Sequence, residues 1–232
     1  MARTHLPSEF LQYLISLPDG DGESGRVPSL TELSAILGVS VARLREQLEV
    51  AKALGLVEVR PRTGIRRQAY TFFPAVWQSL GYAIEIKHAY FDAFAELRNH
   101  LEAAYWHQAV RFLMPQDHLE LQRLVTTALD KLHSPQIQIP HVEHRQLHMC
   151  IYSRLKNPFV LGILEAYWQA YEAVGLNLYA GYEYLQEVWE YHRRMVDAIC
   201  CGDFDAGYLA LVEHADLLQH RPVSVLTGNS NK

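Results

Sequence analysis

The chain has 232 residues, 49% of them hydrophobic and 20% charged, a composition that fits one or two packed domains and excludes a disordered or fibrous chain. No apolar run approaches the ~20 residues of a membrane span. Met1-Ala-Arg-Thr-His5 has no leader-like apolar stretch either, so a cytoplasmic protein with no membrane partner is expected.

The net charge of −5 argues against a polyanionic partner only until its distribution is read. Residues 40–70 carry seven Lys/Arg against three acids, whereas residues 71–232 carry twelve basic and eighteen acidic residues. One end of the chain can therefore meet a polyanion while the remainder is repelled from it. Cys150, Cys200 and Cys201 are few and odd in number, a pattern of reduced thiols rather than a disulfide framework.

Residues 8–17 read as a short amphipathic helix, followed by a turn-rich loop from Pro18 to Gly25. Ser29-Leu-Thr-Glu32 has the spacing of a capping box, and its helix runs to Leu37 and stops at Gly38. Ser40 caps a second helix, about 41–54, with Val41, Leu44, Leu48 and Ala51 on one face and Gly55 as terminator. A strand at Leu56–Val59, a basic turn at Arg60–Gly64 and a returning strand at Ile65–Phe72 complete the order of a winged helix-turn-helix.

In that arrangement the second helix enters the DNA major groove and the hairpin tip meets phosphates or the minor groove. The candidate DNA contacts are Ser29, Ser40, Arg43, Arg45 and Gln47, with Arg60, Arg62, Thr63 and Gly64 at the tip. Arg43, Arg45 and Gln47 are expected to project from the second helix. The same pattern also serves protein-binding domains, and a basic turn is often merely solvated.

Pro74 marks a boundary. The expected division is a winged helix-turn-helix domain at 1–73, a linker or short helix at 74–81, a helical domain at 82–221 and a disordered tail at 222–232. Beyond the linker the chain is expected to be helical at 84–113 (one long helix with room for a bend), 116–131, 140–154, 158–178, 182–201 and 203–220. Pro140 and Asn157-Pro158 fit helix starts, and Gly202-Asp203 ends one helix and caps the next.

His144 and His148 are four apart and share a helix face, while His192 and His214 fall on two later helices. If these helices bundle, four imidazoles converge, and converging imidazoles bind metal. Twelve histidines also make accidental spacings common, and a histidine on an amphipathic helix is ordinarily a surface or partly buried residue. Spacing alone leaves both readings open.

Val27-Pro-Ser-Leu-Thr-Glu-Leu33, Leu37-Gly-Val-Ser40, Val41-Ala-Arg-Leu-Arg-Glu-Gln-Leu48, Gly55-Leu-Val57 and the Gly64 wing resemble the GntR superfamily of bacterial transcription regulators. Leu30 stands where that family has Glu and Val41 where it has Arg, whereas Arg45 matches its DNA-contacting arginine. The later half is similar to the FCD domain of the FadR-like branch. The similarity lies in His144-x3-His148, Asn157-Pro158, the His192 to Asp203 segment with Ala198-Ile199, and His214.

The resemblance implies a mainly α fold, a winged helix-turn-helix with a small β-hairpin followed by an all-helical bundle. It also implies a homodimer on a palindromic double-stranded operator, acting for instance as a repressor. It further implies a metal on His144, His148, His192 and His214, and a small organic acid beside it. Arg98, in Arg98-Asn-His-Leu-Glu102, resembles the family's Arg-x-x-Leu-Glu and is the expected carboxylate clamp, with Tyr105 nearby; an Arg98–Glu102 surface pair is the alternative.

His144 stands where the family has Asp. Four neutral imidazoles favour Zn²⁺ or Ni²⁺ over Mg²⁺ or Ca²⁺. A regulator without metal remains the alternative. No metalloprotease signature, nucleophile elbow or phosphate-cradling loop is found in the sequence, so an enzyme is not expected.

Overall fold

The computed structural model describes residues 8–17, 25–174 and 181–219. The chain divides into two units, Met1–Ser79 and Leu80–Lys232. It is mainly α, with ten helices and one small sheet among the described residues.

The first unit runs α1 (Glu9–Ser16), β1 (Arg26–Val27), α2 (Leu30–Leu37), α3 (Val41–Ala53), β2 (Val57–Arg60) and β3 (Gly64–Arg67). Its helix starts are capped by side chains. Ser8 accepts from the Leu11 amide, Ser29 and Glu32 form the full reciprocal box, and Ser40 accepts from the Arg43 amide. At the end of α3 the Leu56 amide reaches back to the Ala51 carbonyl and the Gly55 amide to that of Lys52. This closure needs a left-handed residue, which Gly55 supplies at φ 68°. A Cβ on Gly55 would also lie 2.6 Å from Pro74 Cγ.

The sheet is antiparallel in the order β1-β3-β2, with Val27 and Val59 both opposite Ile65. Phe10, Leu14, Val27, Leu33, Leu44, Leu48, Ala51, Val57 and Ile65 form the core. Two details differ from the sequence reading. β1 was not expected, because two residues are too short to show a period. The return strand ends at Arg67 instead of continuing to Phe72, since pairing with β2 runs out there.

The helices that follow are α4 (Phe73–Ile86), α5 (Ala89–Arg111), α6 (Pro115–His133), α7 (His141–Tyr152), α8 (Pro158–Val174), α9 (Tyr182–Cys201) and α10 (Phe204–Gln219). The stretch 74–81 expected as linker or short helix lies within α4. Pro74 sits in the first turn, where its missing N–H costs nothing, and Gly81 is carried in the interior. The single helix expected over 84–113 is two helices, parted at Lys87-His88 without glycine or proline. The loop expected at 18–25 falls almost wholly outside the described residues, as do the tail at 222–232 and the end of the helix expected to reach 178.

In the second unit Trp106, Leu121, Leu124, Leu147, Ile151, Trp189, Met195 and Leu211 belong to one continuous core. Asn157 Oδ1 accepts from the Phe159 and Val160 amides to start α8, and Asp203 Oδ1 from the Ala206 amide to start α10. Gly207 on α10 lies against α5: an added Cβ would meet Trp106 Cζ2 at 2.6 Å. The Trp106 indole donates to the Phe204 carbonyl at 2.8 Å, which fixes the start of α10 ten residues before His214. No described helix is long and apolar enough to cross a membrane.

Candidate functional site

His144 and His148 lie one turn apart on the buried face of α7, with Leu147, Ile151 and Tyr152. His192 lies in the buried stripe of α9 between Trp189 and Met195, and His214 is on α10. Exposure is 6% at His144 and 0% at the other three, and a ligand atom from each falls within 4.8 Å of those of the others.

Two nitrogens at the corners of a tetrahedral site, each about 2.1 Å from the ion, lie about 3.4 Å apart. A cluster whose ligand atoms lie within 4.8 Å of one another holds one ion after a modest contraction. Its donors are unspent: His144 Nε2, His192 Nδ1 and both nitrogens of His214 are buried without a hydrogen-bond partner. Such orphaned buried groups are costly. Burial holds all four imidazoles well below their ordinary pKa. Neighbouring positive charges push the same way, and Glu102 opposes them at His214. Neutral imidazole is the form that ligates metal. By size, unpaired donors and protonation, these residues fit a metal ion.

His148 Nε2 and His192 Nε2 are 3.0 Å apart. An N–H···N bond between two neutral rings has this length, and it accounts for one nitrogen on each ring. It leaves the four orphaned nitrogens unexplained.

The walls are aromatic. The His144 ring packs edge-on against Trp168 at 4.7 Å, and the Trp189 ring lies 4.8 Å from that of His192. Tyr171 also contacts His144, at 5.9 Å. From α5, Arg98 and Glu102, each 1% exposed, face the same region. They are a buried pair, not the surface pair weighed from the sequence: Arg98 Nε lies 3.0 Å from Glu102 Oε1, an ionic contact without hydrogen-bond alignment.

Glu102 Oε2 lies 3.0 Å from His148 Nδ1. Arg98 Nη1 donates to Asn99 Oδ1 at 2.9 Å, Nη2 lies 3.2 Å from His148 Nδ1, and the guanidinium covers the Tyr167 and Trp168 rings. Each edge of the expected carboxylate clamp therefore faces a group inside the protein, although only Nη1 makes a hydrogen bond that does not depend on the His148 tautomer. Burial works against the Arg98 charge, but Glu102 and surrounding tyrosines hold its pKa above the ordinary value. Burial raises the Glu102 carboxyl, with Arg98 pulling it back.

A cavity of about 150 Å³ lies between α5 and α10, lined by Arg98, Glu102, Ala103, Leu211, His214 and Asp216 among others. Tyr105 does not line it; its hydroxyl instead accepts from Asn157 Nδ2 at 3.3 Å. The carboxylates adjoining two of the histidines point elsewhere. Glu143 accepts from Lys131 at 2.7 Å, and Glu213 pairs with Arg194 at 2.9 Å.

Glu102 is the residue that sequence reasoning undervalued. The signal was its position: Phe91, Arg98, Glu102, Trp106 and Ala109 form one buried stripe, and two charges in an apolar stripe call for buried partners.

Residues 93–217 match the FCD domain. The chain belongs to the FCD domain family. Among solved structures it is similar to Streptococcus agalactiae GntR, at 17% identity over 90% of this chain and 95% of that one, with TM-score 0.58. It is also similar to E. coli McbR/YncC (21% identity, 82% and 85% covered, TM-score 0.49). A third is a transcriptional regulator (GntR family member) from Pseudomonas syringae pv. tomato str. DC3000 (16% identity, 89% and 78% covered, TM-score 0.43). The first shares the fold, a winged helix-turn-helix followed by a helical FCD domain. No curated protein matches the chain. In the FCD domain here the four histidines lie on α7, α9 and α10, all within the matched residues.

The candidate DNA contacts ahead of the FCD domain fall into two groups. Arg45 is exposed on α3, and Arg62, Thr63 and Gly64 are exposed at the hairpin tip, with φ 71° at Arg62 and 75° at Gly64. The others have partners. Ser29 and Ser40 cap helices, Arg43 pairs with Glu9 at 2.7 Å, and Arg60 with Glu58 at 2.6 Å. Gln47 does not project as expected: its Oε1 accepts from the Phe10 amide at 2.9 Å and its Nε2 donates to Glu9, so it ties α3 to α1. Arg67, counted in the basic stretch, donates to the Leu14 and Leu17 carbonyls at the end of α1.

Proposed function

We propose that the chain is a DNA-binding transcription regulator of the GntR type, and that its FCD domain senses a small organic acid at a metal centre. The buried cluster of four imidazoles with unspent nitrogens carries this reading. The winged helix-turn-helix fold and the FCD match support the regulator class.

His144, His148, His192 and His214 are the residues that would hold the ion. An all-nitrogen donor set suits Zn²⁺ or Ni²⁺, where Mg²⁺ and Ca²⁺ prefer oxygen. When bound, the ion supplies a positive centre for a carboxylate oxygen. The cavity between α5 and α10 leads to His214 and holds about 150 Å³, enough for one small molecule of benzene's size. Trp168, Trp189 and Tyr171 keep water from the imidazoles.

Two copies of the chain read a palindromic operator, since a two-fold dimer is mirrored in its site. The α3 helix enters the major groove with Arg45, and Arg62, Thr63 and Gly64 meet the backbone. The acid acts only through its different affinity for two arrangements of the dimer, and a coupling of ~1–3 kcal/mol suffices for a useful response.

The test is selection from a random duplex pool, with Zn²⁺ present, by the purified chain. Enrichment of a two-fold symmetric sequence is expected. Failure to enrich any sequence overturns the reading.

A further inference from the structure

We infer that Glu102 is the positioning residue of the four-histidine centre, and that Arg98 serves to hold Glu102 in place rather than to bind an effector. The inference rests on the metal reading above and assigns a role within it to a buried ion pair.

The decisive atom is His148 Nδ1. It lies 3.0 Å from Glu102 Oε2 and 3.2 Å from Arg98 Nη2. A carboxylate only accepts and a guanidinium only donates, so one ring nitrogen cannot bond both. If Nδ1 accepted from Arg98, its lone pair would face a carboxylate oxygen at 3.0 Å, and the ring's proton would sit on Nε2. Nε2 lies 3.0 Å from His192 Nε2, inside the cluster, and a proton there blocks ligation.

With the proton on Nδ1, the ring donates to Glu102 and presents a lone pair at Nε2 to the cluster. The shorter distance is the one to Glu102. A carboxylate behind a ligating imidazole fixes its tautomer and raises its basicity.

Arg98 is built to hold that carboxylate. Its Nε lies 3.0 Å from Glu102 Oε1, Nη1 is bound by Asn99, and Tyr167 and Trp168 cover its plane. Each partner is only 1% exposed, so the pair is shielded from solvent. His144 brings no negative charge to the centre, and Glu102 supplies one directly behind His148.

The test compares Zn²⁺ affinity, by competition with a chromophoric chelator, and the Co²⁺ ligand-field spectrum across three purified chains. These are the wild type, Arg98→Met/Glu102→Leu and Arg98→Met/Glu102→Gln. Both double variants remove the two buried charges together, which a fold tolerates better than the loss of one.

The leucine variant is expected to bind Zn²⁺ about 10–100-fold more weakly with an altered Co²⁺ spectrum. Helix content and oligomeric mass are expected to be unchanged. The glutamine variant returns an acceptor for Nδ1–H without a charge and is expected to recover part of the loss. Wild-type affinity in the leucine variant overturns the assignment, as does equal loss in both variants. A wild-type chain that takes up no Zn²⁺ overturns the metal reading and this assignment with it.

Discussion

Arg43, on the helix that faces DNA in a winged helix-turn-helix, is held by Glu9 of α1 at 2.7 Å. Gln47 donates to the other oxygen of the same carboxylate, so the acid sits between two residues expected to reach DNA. The hydrogen bond from Gln47, with Arg43 beside it, holds the Glu9 carboxyl below its ordinary pKa, so it stays charged. Glu9→Gln frees Arg43 for a phosphate. In a dimer, log K against log salt is then expected to steepen by about 1.8, at ~0.9 per cation. Parallel salt plots for wild type and Glu9→Gln would show that Arg43 stays away from phosphate in both.

Arg45 is exposed on the same helix. Arg45→Ala is expected to weaken binding to the selected duplex by about 1–3 kcal/mol, the range for a lost base contact. Metal content and oligomeric mass should not change. Unaltered binding would mean that α3 is not the reading helix.

The metal-free chain should lose stability on mild acidification. Burial lowers the folded-state pKa of His144, His148, His192 and His214, with neighbouring charges adding to it. Above the ordinary value of 6.5 both states are neutral and there is no penalty. As pH falls through that value the unfolded chain takes up protons and the folded chain does not. By pH 6 the penalty is roughly 0.8 kcal/mol per group, about 3 kcal/mol for the four. Urea unfolding of the chelator-treated chain at pH 7.5 and pH 6 measures it, and equal midpoints would contradict the buried, neutral cluster.

The parts of the molecule legible in the sequence are those set by local chemistry. Ser29 with Glu32, Ser40, Gly55, Asn157-Pro158 and Gly202-Asp203 mark helix ends through their own side chains or backbone freedom, and the ends lie there. The four histidines are legible through helical spacing together with the resemblance, because burial of a face is periodic. What the sequence did not show depends on distant partners. Gln47 carries no sign that Phe10 and Glu9 await it, thirty-seven and thirty-eight residues away. Arg98 reads as a clamp or a surface partner of Glu102 because the fold that buries the pair beside His148, fifty residues away, leaves no local mark. The break at Lys87-His88 has no local breaker to announce it.

The approach of α10 to α5 at Gly207 offers a way to disturb the centre from outside it. Trp106 is fully buried, so a side chain at Gly207 must move the helix rather than the indole. Gly207→Leu is expected to cost about 1–3 kcal/mol by overpacking. Displacing α10 displaces His214, so Zn²⁺ affinity should fall together with the urea midpoint. Full affinity in a destabilised variant would show that His214 is positioned independently of this contact.

Metal content of the 232-residue chain, purified after expression with supplemented Zn²⁺ and Ni²⁺, bears most directly on the four-histidine centre. One equivalent per chain is expected for the wild type, and a large loss for His192→Ala with helix content retained. No metal in the wild type, or an equal amount in both, would contradict it.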